Sequence, residues 1–163
     1  MNFSEALLKA AKAEGLHTAI ESCSFASREV VDRVFRHVDL GLLDIKHMDS
    51  ESHRKLTGVP NEPILENLIY IRKVLGVPVM ISLPVIPGYN DSPENISATA
   101  RFVAEELGSG VKIRLLPYHR LGESKNESLG KGMDFSIQVP DDGHMNALKA
   151  IVESFGLQAQ IGG

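Results

Sequence analysis

Short apolar segments alternate with amphipathic helical segments along most of this sequence. The apolar segments at 40–46, 78–86 and 111–117 are rich in Val, Ile and Leu, as strands buried in a parallel sheet are. Strict alternation with short connections predicts a parallel sheet covered by helices, and therefore an α/β fold. A barrel and a doubly wound sheet both fit this pattern.

The start and stop signals of helices and strands define the expected elements of a single domain. The predicted strands cover 17–22, 40–46, 78–86, 111–117 and 157–161. The predicted helices cover 5–14, the segment after Ser27, a short segment from Asp49 or Ser50 to about Gly58, and a longer segment capped by Asn61 and stopped by Gly76. Two more helices are predicted, one from Ser92 and Pro93 to Gly108 and one from Asp141 or Asp142. A polar stretch over 118–139 has no clear period and is expected to be a long loop.

The composition argues against several functional classes. A net charge of −4, 6% aromatic residues and no Trp give no reason to expect a nucleic acid or an anionic membrane as partner. No apolar run approaches the ~18–20 residues of a membrane span, and no signal peptide pattern is present, so the cytoplasm is the expected compartment. The single cysteine, Cys23, cannot hold an iron–sulfur cluster, which needs three or four thiolates.

Polar residues stand at the carboxyl ends of four successive predicted strands. Ligands bind at these ends both in barrels and in open α/β sheets. The sequence therefore predicts a ligand site at this edge of the sheet. The residues concerned are Glu21 and Ser22, Asp44, Lys46 and His47, Ser82 with the turn over 86–88, and Tyr118 and His119.

Asp44 and Lys46 are two residues apart and therefore point to the same face of a strand. Inside a barrel, Asp44 could accept an ammonium, a ribose hydroxyl or a metal ion, and Lys46 could bind a carboxylate. Together they suit a zwitterionic amino-acid group. A surface salt bridge worth ~0–1 kcal/mol explains the same pair, and the spacing alone slightly favours that interpretation.

The remaining candidates have simpler explanations as well. His119 could contact a ligand or donate a proton, although a histidine at a strand end is commonly a hydrogen-bonded structural residue, and the same holds for His47. Glu21 and Ser22 are weaker candidates because acids are common at strand ends. The histidine spacings predict no zinc site, and no residue pattern marks a catalytic nucleophile.

Four segments of the sequence carry a resemblance to a known family. They are Leu42-Leu43-Asp44-Ile45-Lys46-His47-Met48, Gly58-Val59-Pro60-Asn61, Ile86-Pro87-Gly88-Tyr89-Asn90-Asp91 and Leu115-Leu116-Pro117-Tyr118-His119-Arg120-Leu121-Gly122. In order and spacing they resemble the glycyl-radical-enzyme activating enzymes of the radical S-adenosylmethionine superfamily, particularly the pyruvate formate-lyase type. The segment over 15–22 also resembles the strand before the Asp-Thr-Asn-Gly motif of that family. The resemblance covers nearly the whole chain.

The resemblance implies a partial (β/α) barrel, with a parallel sheet of about four to five strands in this chain. It implies that the intact enzyme uses S-adenosylmethionine and a [4Fe–4S] cluster to form a 5′-deoxyadenosyl radical, which abstracts a hydrogen from a glycine of a partner protein. The cofactors supply this chemistry, and the barrel orients them. The implied partners are a glycyl-radical enzyme such as pyruvate formate-lyase and a flavodoxin-type or other electron donor.

The resemblance also implies roles for individual residues. Asp44 and Lys46 correspond to contacts with the methionyl group of S-adenosylmethionine, and Asp44 also lies near a monovalent cation site. His119 corresponds to a contact with the nucleoside. Glu21 and Ser22 correspond to positions lining the cation and methionyl region. No catalytic side chain and no metal ligand is expected in this chain.

The sequence departs from the family pattern at informative positions. The Cys-x-x-x-Cys-x-x-Cys and Gly-Gly-Glu motifs are absent, Glu21 replaces an aspartate, and Cys23-Ser24 replaces Asn-Gly. Ser82 occupies a position often held by arginine, so one cationic contact is expected to be lost.

These departures predict the C-terminal part of an activating enzyme without its cluster-binding part. Alone, such a chain is expected to be inactive, to bind no cluster and to bind S-adenosylmethionine weakly at best. An exposed sheet edge is expected to favour self-association. Two alternatives remain open. One is a non-catalytic docking module that contacts a glycyl-radical enzyme through 118–139. The other is a barrel-type lyase or aldolase with Lys46 as a Schiff-base lysine, against which the series of motifs argues.

Overall fold

A computed structural model describes residues 3–119 and 137–162. Within these residues a parallel sheet has five strands in the order β1-β2-β3-β4-β5. The spatial order thus follows the chain order, as in a barrel, whereas a doubly wound sheet reverses its order at a switch point. The strands are β1 (Ala19–Ser22), β2 (Leu40–Asp44), β3 (Val79–Val85), β4 (Lys112–Pro117) and β5 (Gln158–Ile161).

Helices connect the strands and confirm the predicted α/β alternation. Two of them, α4 and α5, continue into π-helical turns at Tyr70–Val74 and Val103–Leu107. In the described ranges no helix has the length and apolar character needed to cross a membrane. The predicted loop over 118–139 falls mostly on residues 120–136, which lie outside the described residues. The helices are α1 (Phe3–Ala13), α2 (Arg28–Phe35), α3 (Ser50–Thr57), α4 (Glu62–Ile69), α5 (Pro93–Phe102) and α6 (Asp142–Glu153).

Three of the predicted helix starts have a side-chain cap at the expected residue, whereas Ser27 precedes α2 without a capping hydrogen bond. The side chains of Asp49, Ser92 and Asp141 accept hydrogen bonds from the backbone three residues later, at 2.8, 3.2 and 2.7 Å. Gly58 ends α3 with a φ of 86°, which favours glycine. Asn61 precedes α4 as predicted, but its side chain makes no capping hydrogen bond, and it has a different role described below.

The two faces of the sheet differ in what covers them. Ile81 and Leu83 in β3, and Ile113 and Leu115 in β4, are completely buried in the hydrophobic core that the sheet forms with the helices. The residues between them alternate to the opposite face. That face carries the polar side chains Asp44, Ser82 and Arg114 together with the partly buried Leu42, Met80 and Leu116.

Candidate ligand-binding face

The uncovered face of the sheet is concave. Arg114 of β4 reaches Glu21 of β1 with 3.1 Å between Nη2 and Oε1, although β2 and β3 lie between these strands. A flat sheet would separate β1 and β4 by about 14 Å, three times the spacing of ~4.8 Å between neighbouring strands. Glu21 is also two residues out of register with Arg114, because Glu21 pairs with Leu42 whereas Arg114 is level with Asp44. The contact therefore indicates that the sheet curls around this side, which we call the concave face.

A row of polar side chains crosses the concave face at one register. Asp44 pairs with Ser82 of the neighbouring strand, and Ser82 pairs with Arg114 of the next. The Arg114 guanidinium donates a hydrogen bond to Ser82 Oγ through Nη2, at 2.9 Å. Ser82 is completely buried in the described structure. The row therefore places a carboxylate, a hydroxyl and a guanidinium side by side.

Asp44 and Lys46 lie together at the carboxyl end of β2. Lys46 Nζ donates to Asp44 Oδ2 at 3.3 Å, and the two side chains are 38% and 20% exposed. Neither side chain is therefore fully solvated, in contrast to a pair on an open surface. Both interpretations of the spacing, a ligand site and a salt bridge, predict this contact.

Two cavities open at the carboxyl end of β3. One, of about 350 Å³, borders Lys46, and the other, of about 470 Å³, borders His119. Pro84 and Ile86 line both cavities. Lys46 and His119 therefore lie on opposite sides of the end of β3, and the combined space is large enough for a small molecule.

Glu21 and Ser22 lie on opposite faces of the sheet. Glu21 lies on the concave face with Arg114, and its side chain is 61% exposed. Ser22 is paired with Leu43, a completely buried residue on the helix-covered face, and its Oγ accepts a hydrogen bond from Ser24 N at 3.0 Å. Ser22 thus stabilises the turn after β1 and does not face the row of polar side chains.

Buried asparagine amides fix the segment that carries Lys46. Asn90 Nδ2 donates to the carbonyl oxygens of Lys46 and Pro84 at 2.9 and 2.6 Å. Its Oδ1 accepts from Ile86 N at 2.8 Å. Asn90 therefore joins the segment after β2 to the end of β3, and holds the backbone of Lys46 beside the first cavity.

Two further asparagines bind the backbone of the residues that follow Lys46. Asn61 Nδ2 donates to the carbonyls of His47 and Met48 at 3.0 and 2.7 Å, which explains why Asn61 does not cap α4. Asn95 accepts from Met48 N at 2.9 Å and donates to the Asn90 carbonyl at 2.7 Å. We call Asn61, Asn90 and Asn95 the asparagine network. All three side chains are buried, so their hydrogen bonds hold the loop in one arrangement.

His47 has a local structural role. Its Nδ1 accepts a hydrogen bond from Asp49 N at 2.9 Å, next to the start of α3. This contact agrees with the structural interpretation of that histidine.

Neither Arg114 nor the asparagine network was predicted from the sequence. The signal for Arg114 is present, since Lys112 and Arg114 alternate with the apolar Ile113 and Leu115 and so mark a charged face. The asparagines look like ordinary turn and capping residues, and their long-range partners leave no sequence pattern.

The residues present fit a zwitterionic ligand better than a metal cluster. The concave face carries the oppositely charged pairs Asp44–Lys46 and Glu21–Arg114. In the described ranges, no three His, Cys, Asp or Glu side chains are grouped so that they could hold a metal ion. The one cysteine of the sequence cannot supply the thiolates of an iron–sulfur cluster.

Comparison with known proteins identifies relatives for this fold and site. The chain is 41% identical over 160 residues to the 4-hydroxyphenylacetate decarboxylase activating enzyme of Clostridioides difficile strain 630, covering 97% of this chain and 50% of that protein. It is 42% identical over 151 residues to the isethionate sulfite-lyase activating enzyme of Oleidesulfovibrio alaskensis, covering 92% of this chain and 48% of that protein. The chain thus spans about half the length of these curated relatives. No family model matches it.

A solved structure shows the same architecture over the whole described fold. A domain of pyruvate-formate lyase-activating enzyme from Bacteroides vulgatus ATCC 8482 matches with a TM-score of 0.81 and 33% sequence identity. The match covers 98% of this chain and 89% of that domain.

The curled parallel sheet with a charged concave face is that of a radical S-adenosylmethionine partial barrel. Within this class, the chain belongs to the family of glycyl-radical-enzyme activating enzymes.

Proposed function

We propose that the concave face binds S-adenosylmethionine and orients it within an activating enzyme. The observation that carries this proposal is the pair Asp44 and Lys46, held 3.3 Å apart at the carboxyl end of a parallel strand. Opposite charges at this spacing complement the ammonium and carboxylate of a methionyl group. The cavities on either side of Pro84 offer space for the rest of the molecule.

Each residue of the face has a proposed role. Lys46 supplies positive charge to the ligand carboxylate, and Asp44 accepts from the ammonium or from a ribose hydroxyl. Glu21 adds negative charge from β1. His119 borders the second cavity and contacts the nucleoside. Ser22 contributes through the turn after β1, since its hydroxyl is bonded to Ser24.

A monovalent cation near Asp44 is part of the same proposal. Asp44 and Glu21 are the carboxylates on the concave face that could hold it. Because Lys46 is already paired with Asp44, the cation competes with the Lys46 ammonium for the carboxylate.

In the intact enzyme, the proposed reaction is hydrogen abstraction from a glycine of a glycyl-radical enzyme. S-adenosylmethionine and a [4Fe–4S] cluster supply the radical chemistry, and this chain does not hold the cluster. The names of the two relatives support a glycyl-radical enzyme as partner. Pyruvate formate-lyase is the partner that the sequence motifs suggested, and a flavodoxin-type protein is the proposed electron donor.

Binding of S-adenosylmethionine to the chain tests this proposal. We expect Asp44→Asn and Lys46→Met each to weaken binding about tenfold, because each removes one charge-assisted hydrogen bond to the ligand. Equilibrium dialysis with radiolabelled S-adenosylmethionine at high protein concentration measures even a weak affinity. Lys112→Met is the matched control, since Lys112 is an exposed lysine in β4 on the same face.

The control variant is expected to bind as the wild-type chain does. Unchanged affinity in both Asp44→Asn and Lys46→Met would contradict the proposed site.

A further inference from the structure

Arg114 has an unusual environment for a residue on an open sheet face. Its side chain is only 15% exposed. Nη2 donates to both Ser82 and Glu21. The Nε–H is shielded from solvent and has no hydrogen-bond partner within the described residues. A buried guanidinium N–H without an acceptor is costly, so this edge of Arg114 is suited to an acceptor from outside the described chain.

The acceptor that fits this edge best is a carboxylate. The planar guanidinium presents Nε and Nη2 as a fork, which matches the two oxygens of a carboxylate. Glu21 uses Nη2 alone, at 3.1 Å, and is 61% exposed. An ion pair with so exposed a carboxylate is weak, and a ligand carboxylate can therefore displace Glu21.

Ser82 lies beside Arg114 in the sheet and accepts a hydrogen bond from it. It is paired in register with Arg114 and is completely buried. A long side chain at position 82 would compete with the guanidinium for the same space. The sequence predicted that a cationic contact is lost at position 82 of β3. Arg114, at the paired position of β4, places a cation beside it.

We propose that Arg114 binds the α-carboxylate of S-adenosylmethionine through Nε and Nη2. This inference rests on the proposed function and adds to it the residue that recognises the carboxylate. The ligand carboxylate replaces Glu21 on Nη2 and gives Nε its acceptor. Glu21 is then free to face the ligand ammonium, while Lys46 adds positive charge from β2.

The wild-type chain provides the first test, by nuclear magnetic resonance of arginine Nε–H groups. Arg114→Lys identifies the Arg114 signal by its disappearance. Titration with S-adenosylmethionine is expected to shift that signal. Decarboxylated S-adenosylmethionine keeps the amine and lacks the carboxylate, so it is expected to leave the signal nearly unchanged. Equal shifts with both ligands, or no shift while S-adenosylmethionine binds, would overturn the inference.

Binding by variants provides the second test. Arg114→Gln is expected to weaken S-adenosylmethionine binding about tenfold and to leave binding of the decarboxylated ligand unchanged. Lys112→Gln, which removes a cation two residues away on the same face, is expected to retain the preference for the carboxylate. The double variant Ser82→Arg/Arg114→Ser returns a guanidinium to β3 and is expected to regain the preference. A folded double variant without it would contradict a shared subsite.

The outcomes also separate this inference from the proposed function. A wild-type chain that binds neither ligand would contradict both. A chain whose binding depends on Asp44 and Lys46, but whose preference for the carboxylate survives Arg114→Gln, would overturn only the role of Arg114. The resonance experiment on the wild-type chain decides the question even if Arg114→Gln does not fold.

Discussion

At the scale of single residues, Asp39 shows how one carboxylate stabilises the edge of the sheet remote from the proposed site. It accepts hydrogen bonds from Lys12 Nζ at 2.7 Å and from Thr18 N at 2.8 Å. These contacts join α1 and the segment before β1 to the start of β2. The Lys12 ammonium, followed by the Thr18 backbone N–H, holds the pKa of Asp39 well below its usual range.

We predict that the stabilisation from Asp39 depends on pH. Because its pKa is lower in the folded than in the unfolded chain, the stabilisation is fully present above the unfolded value of about 3.9 and is lost as pH falls toward the folded pKa. Asp39→Asn should therefore destabilise the chain more at pH 7 than at pH 3. Urea unfolding of both proteins at the two pH values measures this, and an equal destabilisation would contradict it.

The same scale shows which parts of the site a sequence can predict. The contact between Asp44 and Lys46 follows from the alternation of side chains along one strand, which is a local property. The contact between Arg114 and Glu21 joins residues 93 positions apart and depends on the curvature of the sheet. The residues between them in sequence do not encode that curvature in any simple pattern.

At the scale of elements, the buried amide of Asn90 fixes the segment after β2 to the end of β3. Asn90 satisfies two carbonyl oxygens and one backbone N–H from two strand ends. Because the Lys46 carbonyl is one of them, Asn90 is a positioning residue for the proposed site. It acts through the backbone and need not touch the ligand.

We predict that Asn90→Ala destabilises the chain by roughly 2–3 kcal/mol, because it leaves buried backbone groups without partners. It should also weaken S-adenosylmethionine binding, since Lys46 is no longer fixed. Urea unfolding and dialysis measure the two effects. Asn146→Ala removes an exposed amide on α6 and is the matched control, for which a small change is expected. An Asn90→Ala chain as stable as the control would show that the network is dispensable.

The predicted elements themselves were largely correct because helix signals are local. Ser92 and Asp141 begin helices where expected, and Gly58 ends one. The π-helical ends of α4 and α5 were not predicted. In the structure Arg72 of the first donates from Nε to the Leu107 carbonyl of the second at 3.2 Å. Contacts between helices therefore accompany these widened turns, and no single helix sequence specifies such contacts.

At the scale of the whole molecule, sequence alternation specified the layers of the fold but left the strand order open. Periodicity shows which face of each element is apolar, and this is the same in a barrel and in a doubly wound sheet. The strand order β1-β2-β3-β4-β5 and the contact across the concave face distinguish the two. The family motifs favoured the barrel as well, and the functional hypothesis rested on them because fold alone does not imply function.

The proposed site on the concave face depends on all three scales. Alternation along the strands places its polar side chains, the asparagine network fixes Lys46, and the curvature of the sheet brings Arg114 to Glu21. A crystal structure of the chain with S-adenosylmethionine tests this most directly. We predict that the methionyl group lies across Asp44, Ser82 and Arg114, with its carboxylate on the Arg114 guanidinium. A ligand bound outside the concave face, with the pairs Asp44–Lys46 and Glu21–Arg114 unchanged, would contradict it.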